Sequence, residues 1–157
     1  QEMAKTRTAL ERIAQERFDW KPHEKSFSFM DLANHLARLP SWGAATLRHD
    51  SLDLDPEKGE FTPPEPDETL EAVLATFDRN VADFRAALVE SGDRELMAEW
   101  SLFNGGQKLF TMPRISVIRG MILNHLIHHR GQLTVYLRMN DLPVPALYGP
   151  SADESGG

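Results

Sequence analysis

The stretch that decides the fold is residues 113–139, PRISVIRGMILNHLIHHRGQLTVYLRM. Its large apolar residues recur at intervals of three, four or seven, which is typical of one face of an amphipathic helix. They are Ile115, Ile118, Ile122, Leu126, Leu133 and Leu137. Pro113 suits a first helical turn because its missing N–H would have no helical partner there. The sequence predicts a helix from Pro113 to about Met139, and the rest of the chain must cover its apolar face.

Three more segments carry the helical period. The first spans residues 3–20 and is followed by a proline that would close it. The second spans residues 28–47: it begins at residues 28–31, SFMD, which have the form of a capping box, and we expect it to kink at Pro40 and then resume. The third spans residues 67–92 and ends at a glycine.

Two connections complete the outline. Residues 50–66 are rich in Pro and Asp and predict a long surface crossover between helices 2 and 3. Residues 100–111 surround the turn-forming Asn104-Gly105-Gly106 and indicate either a small hairpin or an extended loop before helix 4. The predicted fold is therefore all-α, a four-helix bundle in a single domain over residues 1–157, with an extended tail from about residue 141.

Composition narrows the classes of partner. The 157 residues include 17 basic and 24 acidic side chains, so the formal charge is −7 and binding to nucleic acid is disfavoured. No run approaches the roughly 20 apolar residues that span a bilayer, and residues 1–10 lack a secretory pattern, so we expect a cytoplasmic protein with no membrane partner. There is no cysteine, so any metal must be held by His, Asp or Glu.

The histidines of helix 4 are the strongest chemical signal. His125 and His129 are four residues apart, so they point to the same side, whereas His128 lies about 100° from His129. The pair lies near the apolar stripe and needs partners, either a shared metal ion or hydrogen bonds within a core. Leu126 and Ile127 follow His125, so the His-Glu-x-x-His motif of zinc proteases is absent.

An open metal site needs a third ligand. His35 is the natural donor, because it lies among leucines on the apolar side of helix 2. Taken alone, a histidine in the position of His35 is more often a hydrogen-bonded residue at the boundary of the core than a metal ligand. Trp42 is seven residues further on, so it either lines a pocket on the same face or packs in the core. Asp31 could orient His35, although the capping box already accounts for it.

Several stretches together resemble one family. Residues 124–133, NHLIHHRGQL, resemble the signature helix of the DinB family of DinB/YfiT-like metalloenzymes. Residues 20–23 (WKPH), 31–36 (DLANHL), 142–145 (LPVP) and 148–154 (YGPSADE) also look like that family, so the resemblance covers nearly the whole chain.

The resemblance implies a four-helix bundle that holds a divalent metal ion through His35, His125 and His129. Zn²⁺ or Ni²⁺ are the expected ions. The family is similar to bacterial low-molecular-weight-thiol transferases and to the mycothiol-dependent maleylpyruvate isomerase. Arg130 and Gln132 belong to the same motif, but their rotation away from the histidine pair predicts salt bridges or helix contacts rather than chemistry.

The function expected from this site is metal-dependent activation of a low-molecular-weight thiol for S-transfer to a small electrophilic substrate. One alternative is a metal-assisted hydrolase or isomerase. Another is a bundle without catalytic activity that binds a ligand or dimerises. On general grounds for small helical bundles, we expect a homodimer.

Overall fold

The framework of the computed structural model, which describes residues 1–55 and 64–154, is a set of packed helices. The helices are α1 (Glu2–Leu10), α2 (Phe29–Arg48), α3 (Leu70–Glu90), α4 (Asp93–Met97), α5 (Arg114–Val117) and α6 (Asn124–Met139). Helix α2 packs against α3 and α6, and α1 packs against α6 and α3. None of the helices in the described part of the chain is long and apolar enough to cross a membrane.

Helix α2 begins where the capping box predicts. The Ser28 hydroxyl accepts a hydrogen bond from the Asp31 N–H at 3.1 Å, and the Asp31 carboxylate accepts one from the Ser28 N–H at 3.0 Å. The helix then continues through Pro40 to Arg48. On α3, the Asn80 side-chain amide donates to the Ala37 carbonyl at 2.8 Å, which joins this helix to α2. Together these contacts fix the helix that carries His35.

The first helix is shorter than predicted. Helix α1 ends at Leu10, and the chain makes a short 3₁₀ turn at Gln15–Arg17 instead of continuing as a helix to about residue 20. Ile13 and Phe18 are nevertheless buried, at 3% and 5% exposure. The apolar spacing therefore reported burial correctly but could not show that the backbone turns between these residues.

The all-α prediction is wrong because the chain also forms a three-stranded mixed sheet. In the described residues its strands are β1 (Ser51–Asp53), β2 (Glu99–Asn104) and β3 (Gln107–Pro113), in the order β1-β2-β3. β1 is parallel to β2, with Leu52 opposite Leu102, and β2 is antiparallel to β3. The segment before helix 4 is thus a hairpin, and the predicted crossover contributes a strand. Residues 56–63 of that crossover lie outside the described residues.

Contacts distant in sequence hold this sheet together. Gly105 and Gly106 have φ of 61° and 82°, and both N–H groups donate to the Asp53 carboxylate at 2.8 Å. The Arg114 guanidinium donates to the Thr46 carbonyl at 2.8 Å and to the Asp50 carboxylate at 2.6 Å. These bonds join the end of α2 and β1 to the hairpin, which explains why a three-residue strand is stable there.

The long helical run of residues 114–139 has the predicted extent but an irregular interior. Between α5 and α6 the backbone forms a π-helical segment, Ile118–Leu123. Such segments hold more residues per turn and are frequent at functional sites. Leu126, Leu133 and Leu137 of α6 are fully buried in the main core, together with residues of α1, α2 and α3.

A buried arginine of α6 joins this helix to α1 and to the segment after α6. Arg130 is 1% exposed and donates to the Glu2 carboxylate at 2.6 Å and to the Thr6 hydroxyl at 3.2 Å. Its guanidinium also donates to the Tyr148 hydroxyl, which in turn donates to Glu2 at 2.5 Å. We call Arg130, Glu2, Thr6 and Tyr148 the Arg130 cluster.

Candidate metal centre

Two helices bring three histidine side chains to one point. His35 comes from α2, and His125 and His129 come from successive turns of α6. The His125 Nε2 atom lies 3.2 Å from the His35 Nε2 atom and 2.8 Å from the His129 Nε2 atom. The structure therefore brings together all three residues that the family resemblance implies, as a group that could hold a metal ion.

The spacing of the three nitrogens can be compared with a zinc site. Zn–N bonds of about 2.0–2.1 Å in tetrahedral geometry place ligand nitrogens about 3.3 Å apart. The His35–His125 separation of 3.2 Å is close to that value, and the His125–His129 separation of 2.8 Å is about 0.5 Å shorter. Two ring contacts support the same convergence, since the ring centroid of His35 lies 4.9 Å from that of His125 and 4.4 Å from that of His129.

The hydrogen bond to Gln132 leaves Nε2 of His129 without a proton, so that its lone pair is available to a metal ion. Its Oε1 atom lies 2.7 Å from Nδ1 of His129, and since an amide oxygen only accepts, the ring proton lies on Nδ1. The Gln132 amide nitrogen lies 3.3 Å from Nε2 of His128, which agrees with this orientation of the amide. Neutral His129 then directs the lone pair of Nε2 towards His125.

The protein alone cannot satisfy all of these nitrogens. A proton on Nε2 of His125 can be donated to His129 or to His35, but one proton cannot serve both. A metal ion would accept the lone pairs of all three rings at once. The donor set and its orientation therefore fit a divalent transition metal, for which imidazole is a favoured ligand.

The surroundings of His35 and His129 favour their neutral form. Burial, with smaller contributions from His129 and His125, lowers the pKa of His35 to about 4. Burial also lowers the pKa of His129, although the hydrogen bond to Gln132 acts in the opposite direction. Metal ligation requires the neutral imidazole, so both residues are in the binding form at neutral pH.

A cavity of about 260 Å³ opens beside His35 and His125. Its other lining residues are Arg38, Leu39, Trp42, Pro64 and Met121. Trp42 thus lies on the cavity wall, on the same helix as His35. The Phe27 ring, which does not line the cavity, lies 5.8 Å from the His35 ring and 6.1 Å from the His129 ring, centroid to centroid. The group therefore packs against Phe27 and is reached through the cavity.

Sequence reasoning missed the contact of Gln132. The rotation of Gln132 about the helix axis predicted a position away from the histidine pair, but its side chain reaches back one turn to His129 and His128. Long helical side chains lean towards the N-terminus, so residue i reaches i−3 and i−4. The spacing of three and four residues was the signal that could have found it. Asp31, in contrast, is engaged in the capping box, and Arg130 in an ion pair with Glu2.

Comparisons with known proteins agree on one family. The model of the DinB family matches residues 1–156. A crystal structure of a DinB-like protein, YjoA, from Bacillus subtilis is 21% identical, covers 90% of each chain and has a TM-score of 0.67. A DinB-like protein from Bacillus cereus ATCC 10987 is also 21% identical, with 94% of this chain and 91% of that chain covered and a TM-score of 0.68. At this identity the solved structures show the shared fold.

Two other relatives are more limited. The uncharacterized protein YrdA of Bacillus subtilis strain 168 is 44% identical over 43 residues, which is 27% of this chain and a quarter of that protein. The crystal structure of a mycothiol-dependent maleylpyruvate isomerase is 12% identical, with a TM-score of 0.51. The match covers 90% of this chain but only 60% of the isomerase, so the likeness is one of fold.

Proposed function

This chain belongs to the DinB family, and we propose that it is a metal-dependent enzyme. In the proposal, His35, His125 and His129 bind one Zn²⁺ or Ni²⁺ ion, and a low-molecular-weight thiol is activated there for S-transfer to an electrophile. The observation that carries the proposal is the convergence of three Nε2 atoms beside an open cavity. When bound, the ion would lower the pKa of a coordinated thiol, so that the thiolate forms near neutral pH.

The protein's own groups have distinct parts in this proposal. The three imidazoles hold the ion and leave at least one coordination position open, as in catalytic sites. Gln132 orients His129 through the Nδ1 proton, and the Phe27 ring packs beside the His129 ring. The electrophile would approach through the cavity, where Leu39, Trp42 and Met121 offer apolar contact.

Two features favour a thiol over water as the nucleophile. Among the described residues that line the cavity none is a carboxylate, the usual companion of a hydrolytic metal site as general base. The fold is shared with an enzyme named for its dependence on mycothiol, which supports the same choice.

The test is a thiol-dependence assay on metal-loaded protein. Glutathione or N-acetylcysteine is mixed with 1-chloro-2,4-dinitrobenzene, and the thioether is followed by absorbance. The thiol sulfur forms a bond to the ring carbon, chloride leaves with the bonding electron pair, and the thiol proton passes to solvent. We expect thioether formation above the uncatalysed rate that requires metal and is lost in His125→Ala. It should be retained in His23→Ala, because His23 is exposed and is not part of the three-histidine group.

Two results would contradict the proposal. Equal thioether formation by the parent protein and His125→Ala would separate the activity from the metal centre. Consumption of the electrophile at the same rate without any thiol would point to metal-assisted hydrolysis or isomerisation. The predicted small-molecule substrate is part of the proposal, whereas the homodimer stays a separate prediction.

A further inference from the structure

We propose that the cavity beside the histidines binds a small, mainly apolar molecule that carries one carboxylate, and that Arg38 recognises the carboxylate. The inference rests on the proposed function, because this molecule would be the electrophilic substrate of the same site. It adds the substrate class and a residue that determines specificity.

The position of Arg38 follows from helix geometry. Arg38 is three residues after His35 and four before Trp42, so the three side chains lie on one face of α2. All three line the cavity. A molecule in the cavity can therefore contact the guanidinium while its other end approaches His35.

The guanidinium of Arg38 has few partners for its donors. Arg38 is half-buried, and its Nη2 atom donates to the Glu65 carbonyl at 2.6 Å. Its Nε atom is buried and has no hydrogen-bond partner in residues 1–55 and 64–154. Arg114 and Arg130, which are also shielded from solvent, each pair with a carboxylate at 2.6 Å. Arg38 differs from them in having no ion pair with any described carboxylate.

The charge and size of the cavity define its occupant. The chain as a whole carries a charge of −7, yet the charged group among the described lining residues is a cation. A planar carboxylate matches the paired N–H donors of a guanidinium. A volume of about 260 Å³ lies just below the usual range of small-molecule pockets, roughly 300–1,000 Å³, so the occupant is small. Leu39, Trp42, Pro64 and Met121 would surround its apolar part.

The test compares two probes that differ in charge. Hexanoate and hexanamide are titrated into metal-loaded and metal-free protein, and dissociation constants are taken from the NMR shifts of the cavity residues. We expect hexanoate to bind about tenfold or more tightly than hexanamide, since a hydrogen bond to a charged group is worth that ratio. The preference should fall to near one in Arg38→Gln and be partly retained in Arg38→Lys.

Arg48→Gln is the matched control, because Arg48 lies on the same helix but pairs with Asp83 at the surface. It should leave the preference unchanged. Thermal melting of each variant identifies any loss of folding. The inference is overturned if the parent protein shows no preference or no binding of hexanoate, or if Arg38→Gln keeps the preference, as it would if the carboxylate bound only to the metal.

The same experiment separates the inference from the function on which it rests. If metal loads but no preference depends on Arg38, the inference fails and the metal centre stands. If the preference depends on Arg38 in a protein that cannot be loaded with metal, the carboxylate site stands and the proposed enzyme function fails.

Discussion

His129 and Arg130 are adjacent on α6 and both belong to clusters of polar groups, but the two clusters are built differently. Around Arg130, a cation meets a carboxylate and two hydroxyl groups, so donors face acceptors. Around His129, three identical nitrogens converge, and their protons cannot pair them all. The first cluster is complete within the protein, whereas the second is a group that could hold a metal ion.

The difference shows how a structural polar cluster can be told from a binding site. A buried charge is tolerated when its hydrogen bonds are satisfied, and Arg130 then joins both ends of the chain to α6. Converging nitrogen lone pairs gain no stabilising hydrogen bonds from one another unless an ion lies between them. We therefore assign stability to the Arg130 cluster and chemistry to the histidines, and the following predictions test that separation.

The largest expected effect on stability comes from Arg130→Met. Removing the guanidinium takes away the buried cation that pairs with Glu2, whose carboxylate keeps, among the described residues, only the Tyr148 hydroxyl and, at 3.9 Å, the Lys5 ammonium. Breaking a buried pair costs about 3 kcal/mol or somewhat more. We place the loss at the lower end because the Glu2 side chain is 24% exposed. Urea denaturation measures it, and metal content should not change. A loss of metal at full folding would show that the two clusters are not separate.

Arg138→Met is the control for this variant. Arg138 also lies on α6 and also binds the tail, through Asp153 at 2.6 Å, but its side chain is 51% exposed. Because solvent and salt screen an exposed ion pair, its loss should reduce stability far less than the loss of Arg130. Equal losses would mean that attachment of the tail, rather than burial of the charge, sets the effect.

The next effect falls on metal affinity. Gln132→Leu removes the acceptor that fixes the Nδ1 proton and the orientation of the His129 ring, and such changes typically weaken metal binding by about 10–100-fold. Competition with a chelator measures the affinity. Gln132→Glu keeps an oxygen acceptor and should bind metal at least as well as the parent. If Leu and Glu behave alike, the contact does not orient the ligand.

The third predicted effect is on the pH dependence of the metal-free protein. The pKa of His35 is about 4 in the folded state against an ordinary value of 6.5, so between these values the unfolded chain binds a proton that the folded chain does not. Stability is therefore highest above pH 6.5 and falls as the pH is lowered towards 4. Denaturation curves should show a smaller decline in His35→Gln. Parallel declines in both proteins would contradict the lowered pKa.

The helices were predictable where local signals agree. Residues 113–139 show a continuous apolar stripe, and the start of α2 is set by Ser28 and Asp31, which act within one turn. The apolar side of helix 2 already offered His35 as the natural third ligand, but only the family resemblance implied the complete set. Spacing brings His125 and His129 together, whereas it cannot place His35 of another helix beside them. Convergence across two helices depends on how they pack.

The β2–β3 hairpin was one of the two alternatives that the turn-forming Asn104-Gly105-Gly106 indicated, but strand β1 was not predictable, for the same reason. β1 has three residues and no periodicity, and it forms because Asp53 accepts hydrogen bonds from Gly105 and Gly106, more than 50 residues away. The early end of α1 at Leu10 could not be seen in the apolar pattern either, since Ile13 is buried although the helix has already ended. Apolar spacing indicates which residues are buried, whereas hydrogen bonds between distant residues determine where a strand such as β1 forms.

The central claim is that His35, His125 and His129 form one metal centre. The most direct measurement is elemental analysis of protein purified without a His-tag or chelating column, beside His35→Ala and His129→Ala, with His23→Ala as the control. We predict about one equivalent of a transition metal in the parent and in His23→Ala, and its loss in both ligand variants. Folded parent protein that contains no metal and cannot be loaded with Zn²⁺ or Ni²⁺, or ligand variants that retain the full equivalent, would contradict the claim.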